Sequence, residues 1–194
     1  MPLTLKGSCH CNQVLFEVES NTPVPYMICQ CSICRKVGGY MGSCNIMGNT
    51  DSLKITKGKD KIKEYRAVLE FDKDGTPKKR SGGTRSFCSE CSAMLWNYDE
   101  EWSNWIYPFA SAIDSPNPLP SIPGYPDLTQ FSSKSTQGAR FGTPNQVDKP
   151  ELYVIMRDSC PSHVPVPCDS LVYGAYPPGE GIEAWHKATG TWVD

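Results

Sequence analysis

Short alternating runs dominate the hydrophobic pattern of this chain. From Gln13 to Ser20 the apolar residues Val14, Phe16 and Val18 occupy every second position, the period of a strand with one buried face. Ser52 to Thr56 and Ile62 to Val68 are weaker strands of the same kind. Trp102 to Ile113 mixes aromatic, β-branched and small residues and reads as one strand broken by Pro108. Trp102, Trp105, Tyr107 and Phe109 within it are expected in the core. Leu152 to Met156 is a short apolar run. Helical periodicity is poor, and the best helical candidate starts near Ser32 and ends before Gly38-Gly39. The 17 prolines and 16 glycines supply many turns. The pattern predicts a mostly β fold with two or three short helices.

No internal repeat is visible. Ser115 to Pro150 differs in composition, with Pro116, Pro118, Pro120, Pro123, Pro126, Pro144 and Pro150 among many Ser, Thr, Gly and Asn. It reads as a long, partly ordered excursion between strands. Gly174 to Gly181 is a second turn-rich stretch, and Lys78-Lys79-Arg80 reads as a solvated turn. The expected organisation is a single domain over 1–194, with a Pro-rich insertion at about 115–150 and a C-terminal extension.

Composition narrows the function. The 194 residues are 39% hydrophobic and 21% charged, with a formal charge of −2. No basic surplus suggests nucleic-acid binding. No apolar run approaches the ~20 residues that span a bilayer, and Met1 to His10 lacks the apolar core of a secretory signal. The expected compartment is the cytoplasm.

Ten cysteines change the picture. In a reducing compartment, clustered cysteines more often bind metal than form disulfides. Cys9 and Cys11 form a C-x-C, Cys29, Cys31 and Cys34 a C-x-C-x-x-C, and Cys88 and Cys91 a C-x-x-C. Zinc takes four ligands in a tetrahedron, and thiolate is a good one. The first and last pairs each supply half of such a site, and joining them would staple the start of the chain to its middle. Three cysteines then remain for a second ion with an open position. Three thiolates make zinc a weak Lewis acid for water but suit an incoming soft thiol. Alternatively, two clusters form one four-cysteine site and the other thiols are simply buried.

These residues also resemble a known pattern. Gly7-Ser8-Cys9-His10-Cys11, then Cys29-Gln30-Cys31-Ser32-Ile33-Cys34-Arg35-Lys36 with Gly38-Gly39 following, then Phe87-Cys88-Ser89-Glu90-Cys91-Ser92-Ala93-Met94-Leu95-Trp96, are similar to the glutathione-dependent formaldehyde-activating enzyme family, which includes centromere protein V. Ala110-Ser111-Ala112-Ile113-Asp114 resembles the strand end that follows, so the match covers about the first 115 residues. The resemblance implies an Mss4-like β-tent of antiparallel sheets. It implies a structural zinc held by Cys9, Cys11, Cys88 and Cys91, and a catalytic zinc held by Cys29, Cys31 and Cys34. It implies carbon–sulfur lyase chemistry on a small thiol adduct, such as formation or cleavage of S-hydroxymethylglutathione, with glutathione as co-substrate. Rival readings are a tailoring enzyme on a larger thiol conjugate and a non-catalytic zinc-stabilised binding module. One departure is Ser92, where the family usually has glycine. A turn needing positive φ there would be strained. The insertion and the tail beyond Cys160 exceed a minimal member and would reshape the pocket.

The remaining candidates carry two readings each. Arg35 and Lys36 would offset a zinc–thiolate anion or hold a glutathione carboxylate, or stand as an exposed basic pair. Cys44 would be a fourth ligand of the second zinc or a small buried residue. His10, between two ligand candidates, should point away from their ion. His163 and His186 would be general bases or ordinary surface histidines. Cys160 and Cys168 would bridge on oxidation or, by default in the cytosol, stand as free thiols.

Overall fold

The computed structural model describes residues 1–116, 119–120, 122–123, 152–167, 170–179 and 181–194. Its strands and helices run β1 (Leu3–Ser8), β2 (Leu15–Ser20), β3 (Met27–Cys29), α1 (Ser32–Gly38), β4 (Ser43–Cys44), β5 (Gly48–Asn49), β6 (Lys54–Lys57) and β7 (Ile62–Phe71). They continue through β8 (Pro77–Cys88), β9 (Met94–Tyr98), β10 (Trp105–Pro108), β11 (Ile113–Ser115), β12 (Leu152–Ile155), β13 (Ser170–Val172) and α2 (Ile182–Ala188). The mostly β prediction with short helices holds. No helix of the described residues is long and apolar enough to cross a membrane.

Two sheets are wholly antiparallel, in the orders β11-β1-β2-β6 and β5-β10-β9-β8-β7. The alternation in β2 works as the sequence requires: Val14, Phe16 and Val18 are each at most 1% exposed. They pack with Leu5, Ile46, Leu95, Trp96, Ile106 and Phe109 into one core cluster, and Phe16 meets Trp96 edge to face at 5.1 Å. Each such side chain contributes about 1.5–3 kcal/mol on burial. Gly7 permits this packing, because a Cβ there would lie 2.4 Å from the Phe16 ring and from the Ala112 carbonyl.

The third sheet, β13-β12-β3-β4, carries the site. Its β3–β4 pair is antiparallel, whereas β12 runs parallel to both β3 and β13, a mixed feature within the otherwise antiparallel architecture. The C-terminal residues thereby pair with an early strand. A second core cluster, including Val24, Tyr26, Met27, Tyr153, Ile155 and Trp185, seals this junction. Tyr26 and Trp185 stack at 3.8 Å with rings 8° apart.

Four expectations need correction. Trp102 to Ile113 is not one broken strand: a 3-10 turn at Glu100–Trp102 precedes β10, and another at Ala110–Ala112 sends the chain into β11 of a different sheet. Trp102 is 57% exposed and lies outside the core. Lys78-Lys79-Arg80 belongs to β8, because the turn falls earlier, where Asp72 and Thr76 close around Gly75 at φ 86°. His186 is fully buried in α2 rather than on the surface. Most of the Ser115 to Pro150 stretch, and Cys168, lie outside the described residues.

Candidate metal centres

Seven cysteines converge as two groups, and in each the sulfurs lie within 4.8 Å of one another. The first holds Cys9, Cys11, Cys88 and Cys91. One pair sits in the β1–β2 connection and the other at the end of β8 and in the turn to β9. Both turns use the same device. The residue after the second cysteine is left-handed, Asn12 at φ 56° and Ser92 at φ 62°. Its N–H donates to the carbonyl of the first cysteine, Asn12 to Cys9 at 2.9 Å and Ser92 to Cys88 at 2.8 Å. The positive φ expected at Ser92 is therefore kept, with serine bearing it.

Sulfur spacing tests the fit to a metal. Cys9 and Cys11 Sγ are 3.5 Å apart, and Cys11 and Cys88 Sγ 3.9 Å. A tetrahedral zinc with Zn–S bonds of about 2.3 Å needs sulfurs roughly 3.8 Å apart. The Val14 N–H donates to Cys9 Sγ at 3.2 Å. Burial opposes ionisation of Cys91, but the Ala93 and Cys11 N–H groups and the Cys11 and Cys88 thiols bring it down to about 6. The donor set suits a soft, four-coordinate cation.

The second group holds Cys29, Cys31 and Cys34. Cys29 ends β3, Cys31 caps α1 and Cys34 lies in its first turn. The Cys34 N–H donates to Cys31 Sγ at 3.3 Å, satisfying one orphan donor of the helix start. Thiol bonds from Cys29 and Cys34 pull the Cys31 thiol down to about 2. Sharing its proton with Cys31 and Cys34, together with burial, pushes Cys29 up. Three crowded sulfurs with one readily ionised thiol again fit a cation. Among the described residues no fourth Cys, His, Asp or Glu joins this group.

Cys44 is not brought into it. In the β3–β4 register Ser43 faces Cys29, while Cys44 pairs with Ile28 one residue out of phase. Period two then turns Cys44 to the other side, where burial pushes its thiol up to about 12. The other candidates scatter. Arg35 donates through Nε to the Gln30 carbonyl at 3.0 Å, and Lys36 is exposed. His10 and His163 are exposed and join no metal-binding group. His186 accepts the Val24 N–H on Nε2 at 3.1 Å, while Nδ1 lies 2.8 Å from the Ile182 carbonyl.

Two residues near the three sulfurs escaped sequence reasoning. Gln30, between two of the cysteines, is fully buried and bonded to Arg157. Tyr176 is largely exposed, yet desolvation and the charges of Cys29, Cys34, Cys31 and Tyr107 push its phenol up to about 12. Nothing in the Gly174 to Gly181 turn composition signals that role. A separate cleft of about 420 Å³ opens between β6 and β8–β10 and holds none of the seven cysteines.

A family model and a curated relative point to one family. A family model described as glutathione-dependent formaldehyde-activating enzyme matches residues 4–122. A Halomonas elongata protein named "Putative glutathione-dependent formaldehyde-activating enzyme" is 37% identical over 151 residues, 74% of this chain and 91% of that protein. A crystal structure of a Rhodobacter sphaeroides protein aligns with a TM-score of 0.44 at 22% identity, over 58% of this chain and 91% of the other.

Proposed function

The chain belongs to the glutathione-dependent formaldehyde-activating enzyme family, and on that premise we propose that it forms or cleaves the carbon–sulfur bond of a small thiol adduct at Cys29, Cys31 and Cys34. Those three would hold a zinc ion with its fourth position open to substrate. Cys9, Cys11, Cys88 and Cys91 would hold a second, structural zinc. When bound at the three-cysteine group, zinc supplies a soft site that lowers the pKa of an incoming thiol and leaves its sulfur nucleophilic. Glutathione is the proposed thiol and formaldehyde the simplest electrophile.

The chain's own residues account for the rest. Sulfur attack on the carbonyl carbon forms the C–S bond and moves the carbonyl π pair onto oxygen, which must then gain a proton. Tyr176, whose phenol feels the charges of the three cysteines and is protonated near neutral pH, is the proton donor we assign. It is reprotonated by the proton the thiol gives up. Cleavage runs the same steps backwards. Arg35 Nε braces the Gln30 carbonyl, and its outer nitrogens are available for a glutathione carboxylate. Reduced zinc thiolates suit the cytoplasm, the compartment we propose.

The single observation carrying this reading is the three-sulfur group without a fourth protein ligand among the described residues. The origin of Tyr176 outside the matched residues 4–122 favours one variation, a thiol conjugate larger than the formaldehyde adduct. The test is direct. Zinc-loaded protein is mixed with glutathione and ¹³C-formaldehyde, and the exchange between free and adduct carbon is followed by NMR above the spontaneous rate. Accelerated exchange together with two bound ions supports an enzyme. A single inert ion and no acceleration with any thiol adduct would leave a zinc-stabilised binding module.

A further inference from the structure

Gln30 lies between Cys29 and Cys31 in sequence and is 0% exposed. Its side-chain Oε1 accepts from Arg157 Nη1 at 2.7 Å and from Cys160 Sγ at 3.8 Å. Its Nε2 donates to the Pro165 carbonyl at 2.9 Å and to the Met41 carbonyl at 3.2 Å. Its main-chain N–H donates to the Ile155 carbonyl at 3.0 Å, and its carbonyl accepts from Arg35 Nε at 3.0 Å. Apart from Met41 and Arg35, all these partners come from residues 155–165, beyond the 4–122 that the family model matches.

The tail reaches the same loop a second way. Ile155 is the register partner of Cys29 across the parallel β3–β12 pair. Arg157 is itself fixed, donating through Nη2 to the Ser162 carbonyl at 3.1 Å and through Nη1 to Cys160 Sγ at 3.4 Å. Residues 156–158 in turn bind the Tyr173, Gly174 and Ala175 carbonyls, directly before Tyr176. Rotation about the Gln30 backbone is what separates the Cys29 and Cys31 side chains. A buried amide held at both ends and along its main chain removes that freedom. Without the tail, the Gln30 amide would lose the partners that fix both of its ends.

We propose that Gln30 is a positioning residue through which the C-terminal extension sets the Cys29–Cys31 geometry, and with it the hold of the three-cysteine group on its ion. This rests on the metal reading above. An outer-shell partner of this kind typically changes metal affinity 10–100-fold, so the extension is a working part of the site rather than an appendage.

The experiment loads the full chain with zinc and follows metal release to a chromophoric chelator, with the fast phase assigned by its loss in Cys31→Ser. Gln30→Ala and Arg157→Ala should accelerate the fast phase about tenfold or more and leave the slow phase of the four-cysteine group unchanged. Gln30→Glu keeps the acceptor for Arg157 and should recover part of the loss. Arg157 is only partly buried, so its variant tests the coupling even where Gln30→Ala fails to fold. Acceleration of both phases together, with a lowered Tm, marks a merely structural contact and overturns the proposal. So does an unchanged ratio of phases in folded Arg157→Ala. A wild-type chain that takes up one ion only overturns the metal reading itself.

Discussion

Cys31→Ser separates the observed job of one side chain from the job proposed for it. As N-cap of α1, Cys31 sits at φ −60°, ψ 160° and accepts the Cys34 N–H on its sulfur. Serine is among the preferred caps, so its hydroxyl takes over that bond. As a metal ligand it fails, because a serine hydroxyl is not ionised near neutral pH and zinc selects thiolate. In the form stripped of its exchangeable ion, Cys31→Ser should therefore match the wild type within about 0.5 kcal/mol. Cys31→Ala loses the cap as well and should fall by ~1 kcal/mol, a drop of about 2–4 °C in Tm for a chain of this size. The metal effect is larger than either. Removing one of three thiolates should exceed the 10–100-fold loss typical of an outer-shell partner, leaving one ion per chain after desalting.

Three measurements on the same preparations check this: metal content, thermal unfolding with and without a mild chelator, and catalysed adduct exchange. The expected result for both variants is one ion and background exchange, with only the alanine variant less stable after chelation. Two ions or full turnover in Cys31→Ser would refute the assignment of the second centre. A Cys31→Ser protein as unstable as Cys31→Ala would refute the capping argument instead.

Other expectations follow from single features. Ser92→Gly relieves a non-glycine φ of 62° and should raise stability by ~1 kcal/mol, read as a higher Tm; a lower Tm would show that the serine is needed at this turn. Cys88→Ser removes a fully buried member of the four-cysteine group. Structural zinc contributes about 10–16 kcal/mol against a net stability of about 5–15, so the variant should be unfolded by circular dichroism, and a folded, soluble one would contradict a structural ion. Burial lowers the pKa of His186 despite its bond to Ile182. The unfolded state then takes up the proton first, so this stability is full above the ordinary histidine pKa of about 6.5 and declines as pH falls below it. The wild-type Tm should fall more steeply than that of His186→Gln from pH 7.5 to 5.5, and parallel slopes would exclude His186 as the cause. Tyr176→Phe should cut adduct exchange about 100-fold with metal content unchanged; wild-type exchange would remove Tyr176 from the proton transfer.

The parts of the fold legible in the sequence are those determined by neighbours. Val14, Phe16 and Val18 announce β2 because each second residue meets one core. The cysteine groups are legible because turns bring residues two or three apart onto one point. What the pattern hid depends on distant partners. Lys78-Lys79-Arg80 looked like a turn because the outer half of the β7–β8 hairpin is exposed on both faces and shows no apolar alternation. His186 looked like a surface residue because what buries it is Tyr26, some 160 positions earlier, packed with Trp185 from its own short helix. The Gln30–Arg157 bond spans 127 positions and has no local signature.

That division also explains why the two cysteine groups should behave differently. Each half of the four-cysteine group is preformed by bonds inside its own turn, Asn12 to Cys9 and Ser92 to Cys88. An ion there joins two ready halves and links the sheet of β1 and β2 to that of β8 and β9. The three-cysteine group has two local devices, the Cys31 cap and the Arg35 bond to the Gln30 carbonyl, and Cys29 is otherwise placed by β4 on one side and by β12 on the other. Its geometry therefore answers to the C-terminal extension, while the Asn12–Cys9 and Ser92–Cys88 bonds that shape the four-cysteine group lie within its own turns. On the proposed metal reading, changes in the C-terminal extension would alter metal hold at one centre without unfolding the protein. A chain built this way would keep a folding ion insulated from whatever reshapes a reactive one.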